Sequence, residues 1–236
     1  MNIADIFKKK TVFSFEVFPP KKESGVETIY KTLEELKDLN PDFISVTYGA
    51  GGVGVANATT IDLCSMIKNK YGVETIAHLS CLYNTEESID RILNQLKENG
   101  IENILALRGD VNPDFEVKND FKYASELTEY IMSKNMGFNV SGACYPEVHQ
   151  EAENMIADIQ NLKKKVDAGA DHLISQLFFD NNAFYDFIEK VRIAGINVPV
   201  EAGIMPVTNK KQIERMVSMW CQHSCKIIKA ITKVWR

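Results

Sequence analysis

Short apolar runs alternate with amphipathic segments along almost the whole chain. Each run is rich in β-branched residues and is followed by a polar loop, and then by apolar positions spaced three and four apart, which is typical of a helix packed against a sheet. Several of these helical segments are followed by glycine, the residue that best adopts the left-handed conformation beyond a helix end. The pattern predicts seven strands, at residues 12–18, 43–48, 75–79, 103–107, 138–143, 172–177 and 198–204.

Strands that alternate with helices predict parallel pairing through βαβ crossovers. The segment 86–98, for example, carries Ile89, Ile92 and Leu96 on one face, and Thr85 is its predicted N-cap. Two architectures fit such a repeat, an open doubly wound sheet and a closed (β/α)₈ TIM barrel. The even spacing, with no linker near the midpoint, favours an α/β barrel in which residues 1–236 form a single domain. In a barrel, functional residues lie where strands end.

The composition is that of an ordinary globular protein, with 45% hydrophobic and 25% charged residues among 236. The net charge of −5 argues against a nucleic-acid partner, which usually selects a basic surface. The sequence shows no apolar run of the ~20 residues that span a membrane, and no signal peptide is recognisable at the N-terminus. Five cysteines, an odd number, favour reduced thiols. We therefore expect a cytoplasmic protein without a membrane partner.

The first predicted strand carries a carboxylate, Glu16, between apolar residues. A strand of this kind is expected to be buried, and an unpaired carboxylate is costly there unless it is protonated. Glu16 is therefore either a satisfied structural acid or a general acid with a raised pKa. His78 at the end of the third strand has no metal-ligand partner at suitable spacing, so no metal site is predicted.

The second strand is followed by Gly49, Gly51 and Gly54 in the spacing of a dinucleotide-binding fingerprint. That fingerprint requires an acid at the end of the next strand, where Ser80 stands instead. A ligand-facing glycine loop is thus favoured over a Rossmann unit.

Two further arrangements suggest chemistry and are disfavoured. Cys144 and His149 invite interpretation as a nucleophile and its base, but nothing else in the sequence indicates acyl transfer. Cys221, His223 and Cys225 are only three candidate metal ligands at tight spacing. The residues alone thus predict a barrel with a polar mouth and name no substrate; the mouth is lined by Glu16, Thr47, Tyr48, His78, Asp110, Tyr145 and Gln176.

Taken together, the strand ends resemble the methylenetetrahydrofolate reductase family. No single motif is decisive, but the ordered set is highly specific and extends from residue 12 to about residue 218. The stretches that carry the resemblance are 15–20, 45–50, 77–79, 105–110, 145–149, 163–170 and 203–207.

The resemblance implies a flavoprotein that reduces 5,10-methylenetetrahydrofolate to 5-methyltetrahydrofolate by hydride transfer through FAD, with NADH or NADPH as the usual reductant. It makes Glu16 the general acid that opens the methylene bridge. It places Asp110 near both flavin and pterin, and Gln176 and Gln212 against the folate. The flavin and nicotinamide contacts that it implies are Thr47, Tyr48, Ala50, His78, Arg108, Gly109, Asp110, Ala124, Tyr145, His149, Ala152, Asp158, Asn161, Lys164 and Lys165.

The sequence departs from the family near its end. Seven strands are predicted where the family has eight, and a complete barrel needs roughly 50 further residues. Residues 219–236 are atypical of the family, which suggests a frameshift or a truncation. Three hypotheses stay open: a folate reductase, a truncated remnant that folds poorly or only binds ligand, and a different barrel enzyme. The resemblance also leaves open a homo-oligomer and an electron-transfer protein partner.

Overall fold

In the part of the chain that the structure describes, seven parallel strands form one sheet, and their order in the sheet follows their order along the chain. This is a computed structural model, and it describes residues 1–20, 26–48 and 55–206. The strands are β1 (Ser14–Val17), β2 (Phe43–Val46), β3 (Glu74–Ser80), β4 (Asn103–Leu107), β5 (Asn139–Cys144), β6 (Ala170–Ser175) and β7 (Val200–Glu201). The helices are α1 (Ala4–Phe7), α2 (Val26–Lys37), α3 (Val55–Tyr71), α4 (Glu86–Glu98), α5 (Ala124–Ser133), α6 (Met155–Asp167) and α7 (Asn181–Ile193).

The sequential strand order decides between the two predicted architectures. A doubly wound sheet reverses its strand order at a switch point, whereas here each strand pairs with the next strand along the chain, from β1 to β7. The sheet is therefore a partial (β/α) barrel of seven strands, and the barrel prediction is confirmed. Within the described residues β1 and β7 are the two edges; residues 207–236, where the predicted tail lies, are outside them.

The register of the strands gives the sheet two different faces. Its outer face packs against the helices through a large apolar cluster, in which Val46 and Ile104 meet Leu33 and Leu93. The inner face is more polar, because the register places Glu16 beside Ser45, His78 beside Leu105, Ser141 beside His172 and Ile174 beside Glu201.

The N-terminal helix α1 closes the lower end of the barrel interior. Ile3 and Ile6 pack against Phe43, Ile76 and Leu105, which lie on the inner face of β2, β3 and β4. This apolar floor leaves the carboxyl ends of the strands as the open end of the barrel.

Helix α4 begins and ends where the sequence predicts. The Thr85 hydroxyl accepts a hydrogen bond from the Ser88 N–H, and the Ser88 hydroxyl accepts one from the Thr85 N–H in return. Such reciprocal capping satisfies two of the N–H groups that a helix start leaves without partners. Ile89, Leu93 and Leu96 are buried against the sheet, which confirms the predicted apolar stripe.

The strands at the edges are shorter than predicted. The pattern predicts strands over 12–18 and 198–204, whereas the structure has Ser14–Val17 and Val200–Glu201. An edge strand has a hydrogen-bonded neighbour on only one side, so fewer of its residues are paired than its apolar run in the sequence suggests. The interior strand Asn103–Leu107 has the predicted bounds. The predicted helix-ending glycines have positive φ, at Gly72, Gly100, Gly137, Gly169 and Gly195.

In the part of the chain that the structure describes, none of the helices combines the length and apolar character needed to cross a bilayer. The described cysteines, Cys64, Cys81 and Cys144, are buried and form no disulfide.

Candidate active site

A cavity of about 340 Å³ lies at the carboxyl ends of the strands, which we call the mouth pocket. Its walls are formed by loops and strands that are far apart in sequence, because the carboxyl ends of parallel strands lie together at one end of a barrel. The predicted site residues on its wall are Glu16, Thr47, His78, Arg108, Gly109, Asp110, Tyr145, His149 and Gln176.

A second cavity of about 320 Å³, the outer pocket, adjoins the first. The two share part of their walls, including Arg108, Tyr145 and His149. The outer pocket brings together the predicted residues Arg108, Ala124, Tyr145, His149, Ala152, Asp158, Asn161, Lys164 and Lys165.

Of the remaining predicted residues, Tyr48 is described and lies in neither wall. The hydroxyl of Tyr48 accepts a hydrogen bond from Asn84 Nδ2 at 3.2 Å, beside the third strand. Ala50 and Gln212 fall outside the described residues, as does the glycine loop 49–54.

The carboxylate of Glu16 opens into the mouth pocket and is not fully buried as the strand pattern predicts. Its side chain is 44% exposed, because β1 turns this residue toward the cavity. Ser45 Oγ donates to Glu16 Oε2 at 3.5 Å. Desolvation by the surrounding walls is the main cause that raises the pKa of Glu16; the Ser45 hydrogen bond opposes it and the charge of Glu201 adds to it.

His78 is the nearest basic group to that carboxylate. Its Nε2 lies 3.6 Å from Glu16 Oε2, is buried, and has no hydrogen-bond partner among the described residues. Burial lowers the pKa of His78 to about 3, so the ring is neutral at physiological pH. A neutral imidazole exerts no net positive charge that would ionise Glu16.

Arg108 and Glu151 form a bidentate ion pair between the two pockets. Arg108 Nη2 donates to Glu151 Oε1 at 2.6 Å, and Nη1 donates to the other carboxylate oxygen. This pairing raises the pKa of Arg108 and lowers the pKa of Glu151. The guanidinium is therefore held at the boundary between the mouth pocket and the outer pocket.

Two neighbouring lysines of α6 line the outer pocket. Lys165 Nζ donates to the carbonyl of Ala143 at 2.8 Å and lies 5.7 Å from the centre of the Tyr145 ring. Burial lowers the pKa of Lys165. Lys164 Nζ donates to Asn161 Oδ1 at 3.0 Å. The outer pocket thus carries ammonium groups suited to an anionic ligand.

The loop after β5 is tightly organised around His149. The backbone N–H of His149 donates to Asp158 Oδ2 at 3.0 Å, and the ring atom Nδ1 of His149 accepts from the backbone N–H of Glu151 at 3.1 Å. The ring meets Tyr145 edge-on, with 4.6 Å between ring centres. Val148 in the same loop has φ +70°, a left-handed conformation that a β-branched residue rarely adopts.

The disfavoured nucleophile at Cys144 gains no support. The thiol is buried, and that burial raises its pKa to about 12, which leaves very little thiolate near pH 7. Among the described residues, no group of three or more His, Cys, Asp or Glu side chains is arranged to hold a metal ion.

Comparison with known proteins identifies the family. A family model described as methylenetetrahydrofolate reductase matches residues 2–235. The chain belongs to the methylenetetrahydrofolate reductase family.

Family members from plants and bacteria are similar over most of this chain. Methylenetetrahydrofolate reductase (NADH) 1 of Arabidopsis thaliana is 40% identical over 235 residues, which cover 92% of this chain and 39% of that protein. The 5,10-methylenetetrahydrofolate reductase of Escherichia coli K12 is 39% identical over 206 residues, 87% of this chain and 68% of that protein. The chain thus spans well under half of the plant family member and about two thirds of the bacterial one.

Solved structures show the same fold at low sequence identity. An uncharacterized protein from Clostridium thermocellum that binds two copies of 5-methyl-5,6,7,8-tetrahydrofolic acid has a TM-score of 0.64 and 13% identity, covering 97% of this chain and 78% of that one. A 2,3-dimethylmalate lyase has a TM-score of 0.60 and 12% identity, covering 92% and 76%. At these identities the likeness concerns the fold alone.

The two pockets carry polar and cationic groups of the kind that the FAD expected from the resemblance would need. A flavin dinucleotide joins a flat ring system to a pyrophosphate, and so requires a deep cleft next to cationic or amide donors. The outer pocket supplies Lys164, Lys165 and Asn161, and the mouth pocket next to it leads to Glu16. His78 Nε2, buried without a partner, is a further polar group on the mouth wall.

Three residues that shape this site are not among the site residues predicted from the sequence. Glu151 pairs with Arg108, Glu201 faces the barrel interior, and Tyr83 holds the loop after β4. The Tyr83 hydroxyl donates to the carbonyl of Asp110 at 3.2 Å and accepts from the Asn112 N–H at 2.5 Å. Only Glu201 carried a usable signal, as a charged residue inside a predicted strand.

Proposed function

We propose that the protein binds FAD and reduces 5,10-methylenetetrahydrofolate to 5-methyltetrahydrofolate, with NADH or NADPH as reductant. The observation that carries this proposal is the meeting of Glu16, His78, Asp110 and Gln176 on one pocket wall, beside a lysine-lined pocket. Family membership supports the folate substrate, and the similar plant proteins named as NADH enzymes support NADH as the donor.

Glu16 is the proton donor in this proposal. Its raised pKa keeps a proton on the carboxyl at a higher pH than a free glutamate allows. The carboxyl gives that proton to the folate nitrogen that leaves when the methylene bridge opens. Water in the mouth pocket can then return a proton, because the side chain is partly exposed.

Asp110 and Gln176 orient the folate. Asp110 is exposed at the pocket rim, where a carboxylate can accept hydrogen bonds from the amino group and ring N–H of a pterin. Gln176 Oε1 accepts from the Leu177 N–H at 2.8 Å, so the amide nitrogen is the group left to donate to a ligand.

Arg108, Asn161, Lys164 and Lys165 would hold the phosphates and ribitol of FAD, and bound FAD would supply the carrier for hydride between nicotinamide and folate.

We also propose that the protein works in the cytoplasm, which the unpaired, buried thiols of the described cysteines support.

The test uses the full chain reconstituted with FAD. We expect a flavin absorption spectrum on the purified protein and a 5-methyltetrahydrofolate product in the presence of NADH or NADPH. Glu16→Gln should lower kcat by roughly 100-fold or more without changing FAD content. Glu116→Gln, a matched change of an exposed carboxylate outside the pockets, should leave kcat unchanged.

Three outcomes would contradict the proposal. Protein that takes up no FAD would remove the cofactor assignment. A Glu16→Gln variant as active as its parent would remove the proton donor. A parent that binds FAD and folate without turnover would favour the alternative of a remnant that only binds ligand.

A further inference from the structure

A second carboxylate lies inside the barrel below the mouth pocket. Glu201 of β7 faces the interior, since the register pairs it with the inward-facing Ile174. Its Oε1 accepts a hydrogen bond from Ser14 Oγ at 2.5 Å. Ser14 and Glu16 are two residues apart on β1 and therefore point to the same face, with a spacing of about 7 Å along the strand.

The Glu201 carboxylate also faces a histidine of the neighbouring strand. Its Oε2 is 3.4 Å from Nε2 of His172, a fully buried residue of β6. The other ring nitrogen of His172 lies 3.1 Å from Ser141 Oγ. The Glu201 side chain is only 13% exposed. The Ser14 hydrogen bond from β1 thus holds one oxygen of a carboxylate that water screens weakly, while Oε2 and His172 Nε2 have no hydrogen-bond partner among the described residues.

We propose that Glu201 is a positioning residue that acts through Glu16: anchored by Ser14 inside the barrel, its carboxylate keeps the catalytic proton on the Glu16 carboxyl. This inference rests on the proposed function and deepens it. A negative charge held near Glu16 inside the barrel disfavours a second negative charge on the Glu16 carboxyl. Desolvation is the main cause of the raised pKa of Glu16, and the charge of Glu201 raises that pKa further.

The groups in contact with Glu16 add no positive charge, whereas the Glu201 carboxylate itself has His172 Nε2 at 3.4 Å. Next to Glu16 on β3 stands His78, which is neutral, and Ser45 of β2 carries no charge. Arg108 is the cation on the mouth wall, and it is already paired with Glu151. The remaining titratable groups that face the mouth pocket or the interior below it are Asp110, Tyr145, Glu147, His149 and His172.

A merely structural role for Glu201 would predict different behaviour. Glu201 and Ser14 belong to the two edge strands, so their hydrogen bond also ties the edges together. A tie of this kind affects stability and leaves the protonation of Glu16 unchanged. The two roles are therefore separated by titrating Glu16 itself.

The experiment titrates Glu16 in the FAD-loaded protein by the NMR shift of its ¹³C-labelled side-chain carboxyl, assigned with Glu16→Gln. Glu201→Gln keeps the size of the side chain and the acceptor for Ser14 but removes the charge. We expect the Glu16 transition and the alkaline limb of kcat to move together to lower pH, and kcat near pH 8 to fall roughly three- to tenfold. Glu201→Asp, which keeps the charge, should restore most of the original pH of the Glu16 transition and most of kcat near pH 8.

Asp171→Asn is the matched control. Asp171 lies next to His172 in sequence and bonds to Asn2, so this variant removes one nearby charge without touching Glu201. It should leave the Glu16 titration unchanged. If Glu201→Gln does not fold, the double variant Ser14→Ala/Glu201→Leu replaces both partners of the hydrogen bond with apolar groups, and the same shift is expected.

A Glu16 transition that stays in place in either folded variant overturns the inference. That result would leave the proposed function standing, provided Glu16→Gln is inactive. Conversely, a shifted transition in a protein without reductase activity would support the coupling of the two carboxylates and refute the function.

Discussion

The Nε2 atom of His78 lies 3.6 Å from Oε2 of Glu16, and the two groups do not form a charged pair. An ion pair would require a protonated imidazole, but burial lowers the pKa of His78 to about 3. The contact therefore joins a neutral ring to a carboxyl whose own pKa is raised. Desolvation of Glu16 therefore favours its protonated form without opposition from a charged His78, as the proposed role of general acid needs.

His78 should remain neutral throughout the physiological range. With a pKa of about 3, its ring nitrogens should keep the chemical shifts of a neutral imidazole from pH 8 down to pH 5. Histidine-selective ¹⁵N NMR measures this directly, with His78→Gln to assign the signals. A His78 titration with a midpoint near 6.5, the ordinary value, would contradict the prediction.

Glu16 should reduce stability where it is ionised. Its pKa is raised on folding, so the folded state binds its proton more tightly than the unfolded state, and its contribution to stability falls as pH rises from about 4.5 through the folded pKa. Glu16→Gln should therefore raise Tm at pH 8 and leave it nearly unchanged at pH 4. Thermal unfolding by circular dichroism checks this, with Glu116→Gln as the control. Equal Tm changes at both pH values would contradict the proposed dependence of stability on the protonation of Glu16.

Lys165 and Lys163 offer a matched pair for testing the cofactor site. Lys165 lines the outer pocket, whereas Lys163 bonds to Asp167 and lines neither pocket. Lys165→Met should raise the Kd for FAD roughly 10- to 100-fold, since a charge-assisted hydrogen bond is lost. Lys163→Met should leave it unchanged. Flavin fluorescence quenching measures the Kd of both variants, and equal changes in Kd would exclude Lys165 from the proposed FAD site.

Gly203 follows β7 at a place without room for a side chain. A Cβ there would stand 2.3 Å from the carbonyl oxygen of Ser175, a backbone atom that cannot move aside cheaply. Gly203→Ala should lower the free energy of unfolding by more than about 2 kcal/mol. A Cβ at Gly195 would meet open space, so Gly195→Ala should lower the free energy of unfolding by only about 1 kcal/mol, because of the positive φ at this position. Urea denaturation compares them, and equal costs would refute the steric argument.

Val148 holds a strained conformation beside the site. Its φ of +70° suits asparagine better than a β-branched residue. Val148→Asn should therefore raise the free energy of unfolding by about 1 kcal/mol. The exposed Val111, which has no positive φ, serves as the control, and Val111→Asn should change stability little. If Val148→Asn destabilises the protein in urea denaturation, packing of the valine outweighs its backbone strain.

Local signals in the sequence determined the elements and their order. Thr85 and the apolar stripe of 86–98 predicted α4 to the residue, because capping and helical periodicity act within one or two turns. The strand 103–107 was likewise predicted to the residue. The even alternation of strands and helices also predicted the barrel, and the ordered strand-end stretches resembled the family.

Only the tertiary structure decided distances, exposure and protonation. Ser14 and Glu201 are 187 residues apart and share a hydrogen bond because their strands face one interior. Glu16 was predicted to be buried, yet the curvature of the sheet opens it to the mouth pocket. His78 is neutral because of what surrounds it. These properties depend on desolvation and through-space charge, which arise only when distant segments pack together, and no local pattern specifies them.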